Sequence, residues 1–235
     1  MPERSRPASP GHGFLDLVHA IVSGDAAKAL QLSDTSPMLV QECAAVGATR
    51  GDAESCFFEP IAHYMYEGDT ALHMAAAGFK YEIAQALIDR GADCSARNRR
   101  GAEPLHYAAD SNIWNPASQA ATIDCLIRAG AHPNASDKSG VAPLHRAVRT
   151  RCAAAVEALL AGGAAARGRN KSGSTPLHLA VRSTGRGNSG SPQAVEQQRR
   201  IIGLLLRAGA TPEDTDQNGK TVRDAATADW IRALF

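Results

Sequence analysis

Residues Gly173–Arg182 read GSTPLHLAVR, and the chain writes nearly the same phrase three more times. GDTALHMAAA begins at Gly68, GAEPLHYAAD at Gly101 and GVAPLHRAVR at Gly140, with a worn fifth copy, GKTVRDAAT, at Gly219. The spacings are 33, 39, 33 and 46 residues. Each of the four better copies then reaches a second landmark: ALIDRGA ending at Ala92, CLIRAGA at Ala131, ALLAGGA at Ala164 and LLLRAGA at Ala210. From the leucine of the first landmark to the glycine of the second, the gaps are 19, 25, 19 and 32 residues. The longer gaps exceed 19 by 6 and 13, as the longer periods exceed 33. Both insertions therefore lie between the landmarks, and one 33-residue unit underlies every copy.

The letters have a physical reading. Glycine supplies a turn conformation closed to other residues. Thr caps the helix that follows, and Pro at its first position loses only an N–H that had no helical partner. Leu and the alanines form a closely packed inner face, and the LL pair belongs to a second helix that stops at glycine. One such unit cannot cover its own apolar face, so several must stack. The 33-residue period and the T-P-L-H-x-A signature resemble the ankyrin repeat. Only Gly173–Ala180 keeps that signature whole; Ala71 replaces Pro, and Glu103 and Ala142 replace Thr. The resemblance implies an all-α solenoid of stacked helix–turn–helix units joined by β-turn or hairpin loops, and a non-enzymatic protein-binding module.

The expected organisation is a disordered tail over 1–13 and a degenerate N-terminal capping repeat over 14–67. Four repeats follow at 68–100, 101–139, 140–172 and 173–218, then a truncated C-terminal cap at 219–235. DLVHAIVSGDAAKALQL, Asp16 to Leu32, fits the helix pair with its first landmark erased, and PMLVQECAAVG from Pro37 reads as a further helix. Atypical terminal repeats are expected where the outer face of a stack meets water.

With 25 basic and 24 acidic residues, the net charge of +1 offers no whole-molecule attraction to nucleic acid. No run approaches the ~18 apolar residues that span a bilayer. The five cysteines, Cys43, Cys56, Cys94, Cys125 and Cys152, form no C-x-x-C and read as reduced thiols. The chain is expected to be cytoplasmic and monomeric, without cofactor, membrane or nucleic-acid partner.

Three motifs invite sharper readings. Gly185, Gly187 and Gly190 spell G-x-G-x-x-G in the 13-residue insertion. A dinucleotide fingerprint needs a strand before it and a βαβ unit around it, whereas a helix pattern precedes this one. A phosphate- or nucleotide-responsive loop over Gly185–Ser191 is thus the alternative to plain protein binding. His73, His106, His145 and His178 recur with the period; a single metal ion needs ligands converging at about 2 Å, which a row of stacked positions does not supply. The resemblance makes these histidines structural, bridging the turn and the adjacent repeat. Arg50-Gly51-Asp52 spells a cell-adhesion tripeptide and is read as chance.

Carrying the resemblance onto this chain places a partner at the turn tips and on the exposed side of the first helices. The tips are Tyr64, Tyr66, Arg99, Arg100, Lys138 and Lys171. The helix positions include Met74, Tyr107, Arg146, Arg149 and Arg182, opposed by Asp110 and Asp137. A basic concave face with aromatic residues toward its N-terminal end is expected, suited to an acidic protein segment. The two insertions leave the same edge, so Trp114, Arg151 and Arg186 are expected to frame a pocket, where a small enzyme is a further alternative.

Overall fold

The computed structural model describes residues 12–110, 113–182 and 191–235. Helices α1 (His12–Ser23) and α2 (Ala26–Thr35) form the first pair. Then come α3 (Ala71–Ala77) with α4 (Tyr81–Asp89), α5 (Pro104–Ala109) with α6 (Pro116–Arg128), and α7 (Pro143–Thr150) with α8 (Ala153–Ala161). The fourth repeat pairs α9 (Pro176–Ala180) with α10 (Pro192–Arg207), and α11 (Val222–Ala225) and α12 (Asp229–Arg232) finish the chain. Inner helices α1, α3, α5, α7, α9 and α11 touch in sequence, as do outer helices α2, α4, α6, α8 and α10. The architecture is an all-α solenoid. Residues 1–11 of the expected tail lie outside the described residues; helix α1 already includes Gly13.

The core is one continuous cluster along the stack, from Phe14 and Leu17 to Val222 and Ile231. Leu72, Leu105, Leu144 and Leu177 are each buried at the same place in their repeats. Between them run the repeating histidines, and both ring nitrogens are used. The Nδ1 atoms of His73, His106, His145 and His178 accept the N–H of Thr70, Glu103, Ala142 and Thr175 at 3.1–3.2 Å. Their Nε2–H groups donate to the carbonyls of Ala102, Val141, Ser174 and Lys220 in the following repeat, at 3.1–3.3 Å. An imidazole that accepts at one nitrogen and donates at the other is neutral. The bridging role implied by the resemblance is what the geometry displays.

The turns are built by a second periodic device. Asn98, Asp137, Asn170 and Asp216 each accept, through side-chain Oδ1, the backbone N–H groups two and four residues on. Gly101, Gly140 and Gly173 follow the first three with φ of 71–73°, and Gly68 opens the first repeat with φ 84°. Their missing side chains also make room for the next turn: a Cβ on Gly173 would lie 2.4 Å from the Gln217 nitrogen. Backbone bonds cross these approaches from Arg99 N–H to Glu67, Lys138 to Arg100, Lys171 to Ser139 and Gln217 to Ser172, at 2.9–3.2 Å.

Two expectations are corrected. The helix over PMLVQECAAVG shrinks to one 3₁₀ turn, Pro37–Val40. Beyond it the backbone bonds outward: Ala44 N–H reaches Asp69 O and Gly68 N–H reaches Ala44 O, both at 2.8 Å. A chain committed to its neighbour in this way cannot also close helical i→i−4 bonds. The insertions, too, are only partly loop. Asn115 and Ser191 cap helices that begin at the following proline, so α6 has 13 residues and α10 has 16, where α4 and α8 have 9.

Burial strips water from the bridging rings and lowers the pKa of His73, His106 and His145, that of His106 to about 4, with the nearby Arg146 charge adding to the effect. Rings so depressed bind fewer protons folded than unfolded, so their contribution is full above 6.5, their ordinary value, and drains as pH falls below it, for His106 down to about 4. We expect the urea midpoint to fall steadily from about pH 7 to about pH 5.5, above the range where most carboxylates titrate. A midpoint constant over that interval would mean that the rings are not held neutral.

Candidate functional site: the concave face

Residues 41–67 form a strap that has no counterpart in the other repeats. It carries a two-stranded antiparallel ribbon, β1 (Phe57–Phe58) with β2 (His63–Tyr64), in which Phe57 faces Tyr64 and Phe58 faces His63. These are the only strands among the described residues, so the glycine-rich stretch has no parallel sheet beside it there; Gly185, Arg186, Gly187 and Gly190 lie outside the described residues. The strap bears on the inner helices. Ile61 lies where a Cβ on Gly78, at the end of α3, would meet it at 2.7 Å. The His63 ring lies 4.7 Å from the Tyr107 ring, centroid to centroid.

Burial overturns part of the expected surface. Met74 and Tyr107, expected to be exposed, are 0 % and 2 % exposed. Tyr107 stands between the rings of His63 and His73, and its hydroxyl donates to Asp69 Oδ2 at 2.8 Å. Asp69, itself fully buried, also accepts the Tyr66 N–H at 2.6 Å and the Asn98 amide at 2.8 Å. A buried carboxylate is tolerable when donors surround it in this way. The pattern that made Tyr107 look like a contact residue was an inner-helix position; what covers it is non-repeating sequence, which periodicity does not reveal.

The charged residues divide into two groups. Arg146 is largely buried and lies between Asp110, at 3.3 Å, and Asp137, at 3.0 Å. Arg149 remains exposed but pairs with Asp110 at 2.9 Å. Burial raises the Asp137 carboxyl, yet donation by the Val141 and Ser139 N–H groups and by Arg146 prevails and holds it below the ordinary range. These two arginines are therefore neutralised internally and tie repeat three to repeat two. Arg99, Arg100, Lys138 and Lys171 are exposed at the turn tips and pair with no carboxylate among the described residues. Arg182 is exposed just beyond α9. Tyr64 is 38 % exposed, and Tyr66 is half-buried beneath Arg100 and Arg99, whose guanidinium carbons stand 4.8 and 5.7 Å from its ring centre.

On the opposite edge, Trp114 and Arg151 do line one pocket, of about 550 Å³, with Thr150 and the first turns of α10 at Gln193 and Gln197. Trp114 is 64 % exposed. Arg186, the third residue expected there, lies outside the described residues. Among the described residues no group of three His, Cys, Asp or Glu side chains is placed to hold a metal ion, and no helix is long and apolar enough to cross a membrane.

A family model described as ankyrin repeats, in three copies, matches residues 13–115 and again 115–216. A B-cell lymphoma 3 protein homolog from Mus musculus is 37 % identical over 83 residues, which are 35 % of this chain and 17 % of that protein. The chain thus spans under a fifth of the length of this curated relative.

The Asp69 cluster makes a direct demand on Tyr107. Tyr107→Phe removes one of three donors to a buried carboxylate and leaves the Asn98 amide without its second acceptor. We expect a loss of about 1–3 kcal/mol of stability by urea unfolding, with the helical signal of the folded state unchanged. A neutral substitution would show that the cluster is already satisfied by water.

Proposed function

We infer the function from the premise that this chain belongs to the ankyrin-repeat family: it recognises another protein and performs no reaction on it. The observation that carries the finer reading is the separation of the cations. Arg146 and Arg149 are bound to Asp110 and Asp137, while Arg99, Arg100, Lys138 and Lys171 are left at successive turn tips. The backbone bonds between turns set these tips one repeat apart, about 10 Å, the distance between packed helices. A row of cations at that spacing, beginning beside Tyr64 and Tyr66, suits an extended acidic segment of a partner, which electrostatic attraction would steer to the face. Arg182 lies apart from this row, beyond the far end of α9, where its carbonyl accepts from Arg151 and Gln198. We place the chain in the cytoplasm as a monomer, in keeping with five free cysteines.

The pocket beside Trp114 and Arg151 favours a second contact with the partner over catalysis. Its described lining of Thr150, Ser191, Gln193, Ala194 and Gln197 contains no nucleophile–base pair.

The test reverses only the exposed cations. Arg146 is unsuitable, because Glu there would confront Asp110 and Asp137 in a largely buried site. The triple variant Arg100→Glu, Lys138→Glu, Lys171→Glu should fold normally by circular dichroism. We expect it to bind a labelled pool of Glu- and Tyr-rich peptides at least about tenfold more weakly than the parent chain, whose own binding weakens as salt rises. Equal binding by the two chains would remove the face from the reading.

A further inference from the structure

The unpaired cations are not spread evenly, and the densest group includes one that the repeat pattern does not contain. Arg50 lies in the strap, in a turn closed by the Thr49 N–H to Asp52 O at 3.0 Å and by the Asp52 N–H to Thr49 Oγ1 at 3.1 Å. It lines a cleft of about 460 Å³ together with Arg99, Arg100, Tyr64 and Tyr66. Three arginines thus border one small cleft. None of them pairs with a carboxylate among the described residues, whereas Arg146 and Arg149 nearby share two. Arg100 and Arg99 are held over the Tyr66 ring, and Arg99 also donates to the Ala48 carbonyl, so two of the three are positioned before any ligand arrives.

Bringing three like charges to one cleft costs repulsion that one carboxylate ligand would only partly relieve. A phosphate monoester carries about −1.5 to −2 at neutral pH and offers three acceptor oxygens to the forked donors of arginine. We propose that the Arg50–Arg99–Arg100 cleft receives a phosphorylated side chain of the partner protein, with the rest of its segment running along Lys138 and Lys171. The proposal rests on the partner-binding reading above and specifies the group at one end of the segment. The cleft is short, with tyrosine walls, and the row beyond it is interrupted by Asp110 and Asp137; a nucleic-acid backbone calls for a longer continuous basic track.

The experiment uses the whole chain and labelled degenerate peptide pools that differ only at the central residue: phosphoserine, phosphotyrosine, serine or glutamate. Fluorescence anisotropy should show at least one phosphorylated pool binding about tenfold or more tightly than the glutamate pool, the gain expected of added charge-assisted bonds. Arg50→Gln and Arg100→Gln should each remove most of that preference, while Lys171→Gln should weaken all pools alike and keep the preference. Melting curves check that the variants fold; Arg50 is exposed and accepts no structural load in its turn. Equal binding of glutamate and phosphorylated pools, with the triple reversal still weakening both, would overturn this proposal and leave the acidic-segment reading standing. Binding to no peptide pool would overturn both. So would arginine-dependent binding confined to a single-stranded oligonucleotide, or to phosphatidylcholine vesicles containing a phosphoinositide, since the phosphate would then belong to another class of partner.

Discussion

One imidazole per repeat holds this molecule in register. Its ring accepts the N–H at the start of its own helix and donates to a carbonyl of the next unit, so a single buried side chain satisfies polar groups in two repeats at once. The carbonyls also accept a backbone N–H within their own turn, from Asn98, Asp137, Asn170 and Asp216, so what the ring adds is the bond that joins neighbouring repeats. The inner helices are very short, five to eight residues in α3, α5, α7 and α9, and each has its first turn closed by its own histidine. The same economy explains why departures from the signature do little harm. Ala142 has no hydroxyl to offer, yet its N–H still finds His145 at 3.2 Å. Glu103 replaces Thr and keeps its N–H on His106, while its carboxylate, raised by burial, is held by Arg97 at 3.1 Å.

The second organising fact is electrostatic. A net charge of +1 conceals a local arrangement in which acids and bases are assigned to different tasks. Asp110 and Asp137 clamp Arg146 across a repeat boundary, and Asp69 collects donors beneath the strap. The bases at the turn tips are some of those that pair with no carboxylate among the described residues. Composition alone says nothing of this, since it depends on which carboxylate each cation can reach.

What repeats was legible, and what occurs once was not. The histidines, the turn glycines and the leucines stand at a fixed period because each repeat must satisfy the same backbone groups. The Asn and Asp residues that organise the turns were equally available, as N/D-x-x-G at Asn98, Asp137, Asn170 and Asp216, and were overlooked. The burial of Tyr107 left no sequence signal because its cover, His63 in the strap, occurs once and leaves no recurring trace. The same is true of Arg50. PMLVQECAAVG has the composition of a helix, but Gly47 passes so close to Tyr66 and Glu67, 2.3–2.5 Å for a notional Cβ, that the segment must run extended beside them. The helix extensions in the insertions carried their own signals, Asn115-Pro116 and Ser191-Pro192, which mark caps rather than loops.

The strap gives the concave channel two unlike ends. His63 and Tyr64 of the strap line one end of the inner-helix face, beside Tyr107 and Arg146, and on the partner-binding reading they would stop a bound segment there. A guest lying in such a cul-de-sac cannot slide indefinitely, because its leading residue meets a barrier. Distances along the guest are then counted from that wall, and the evenly spaced tips act as graduations on a ruler. On that reading, selectivity for where charges fall along a sequence, and not merely for how many there are, would follow from closing one end.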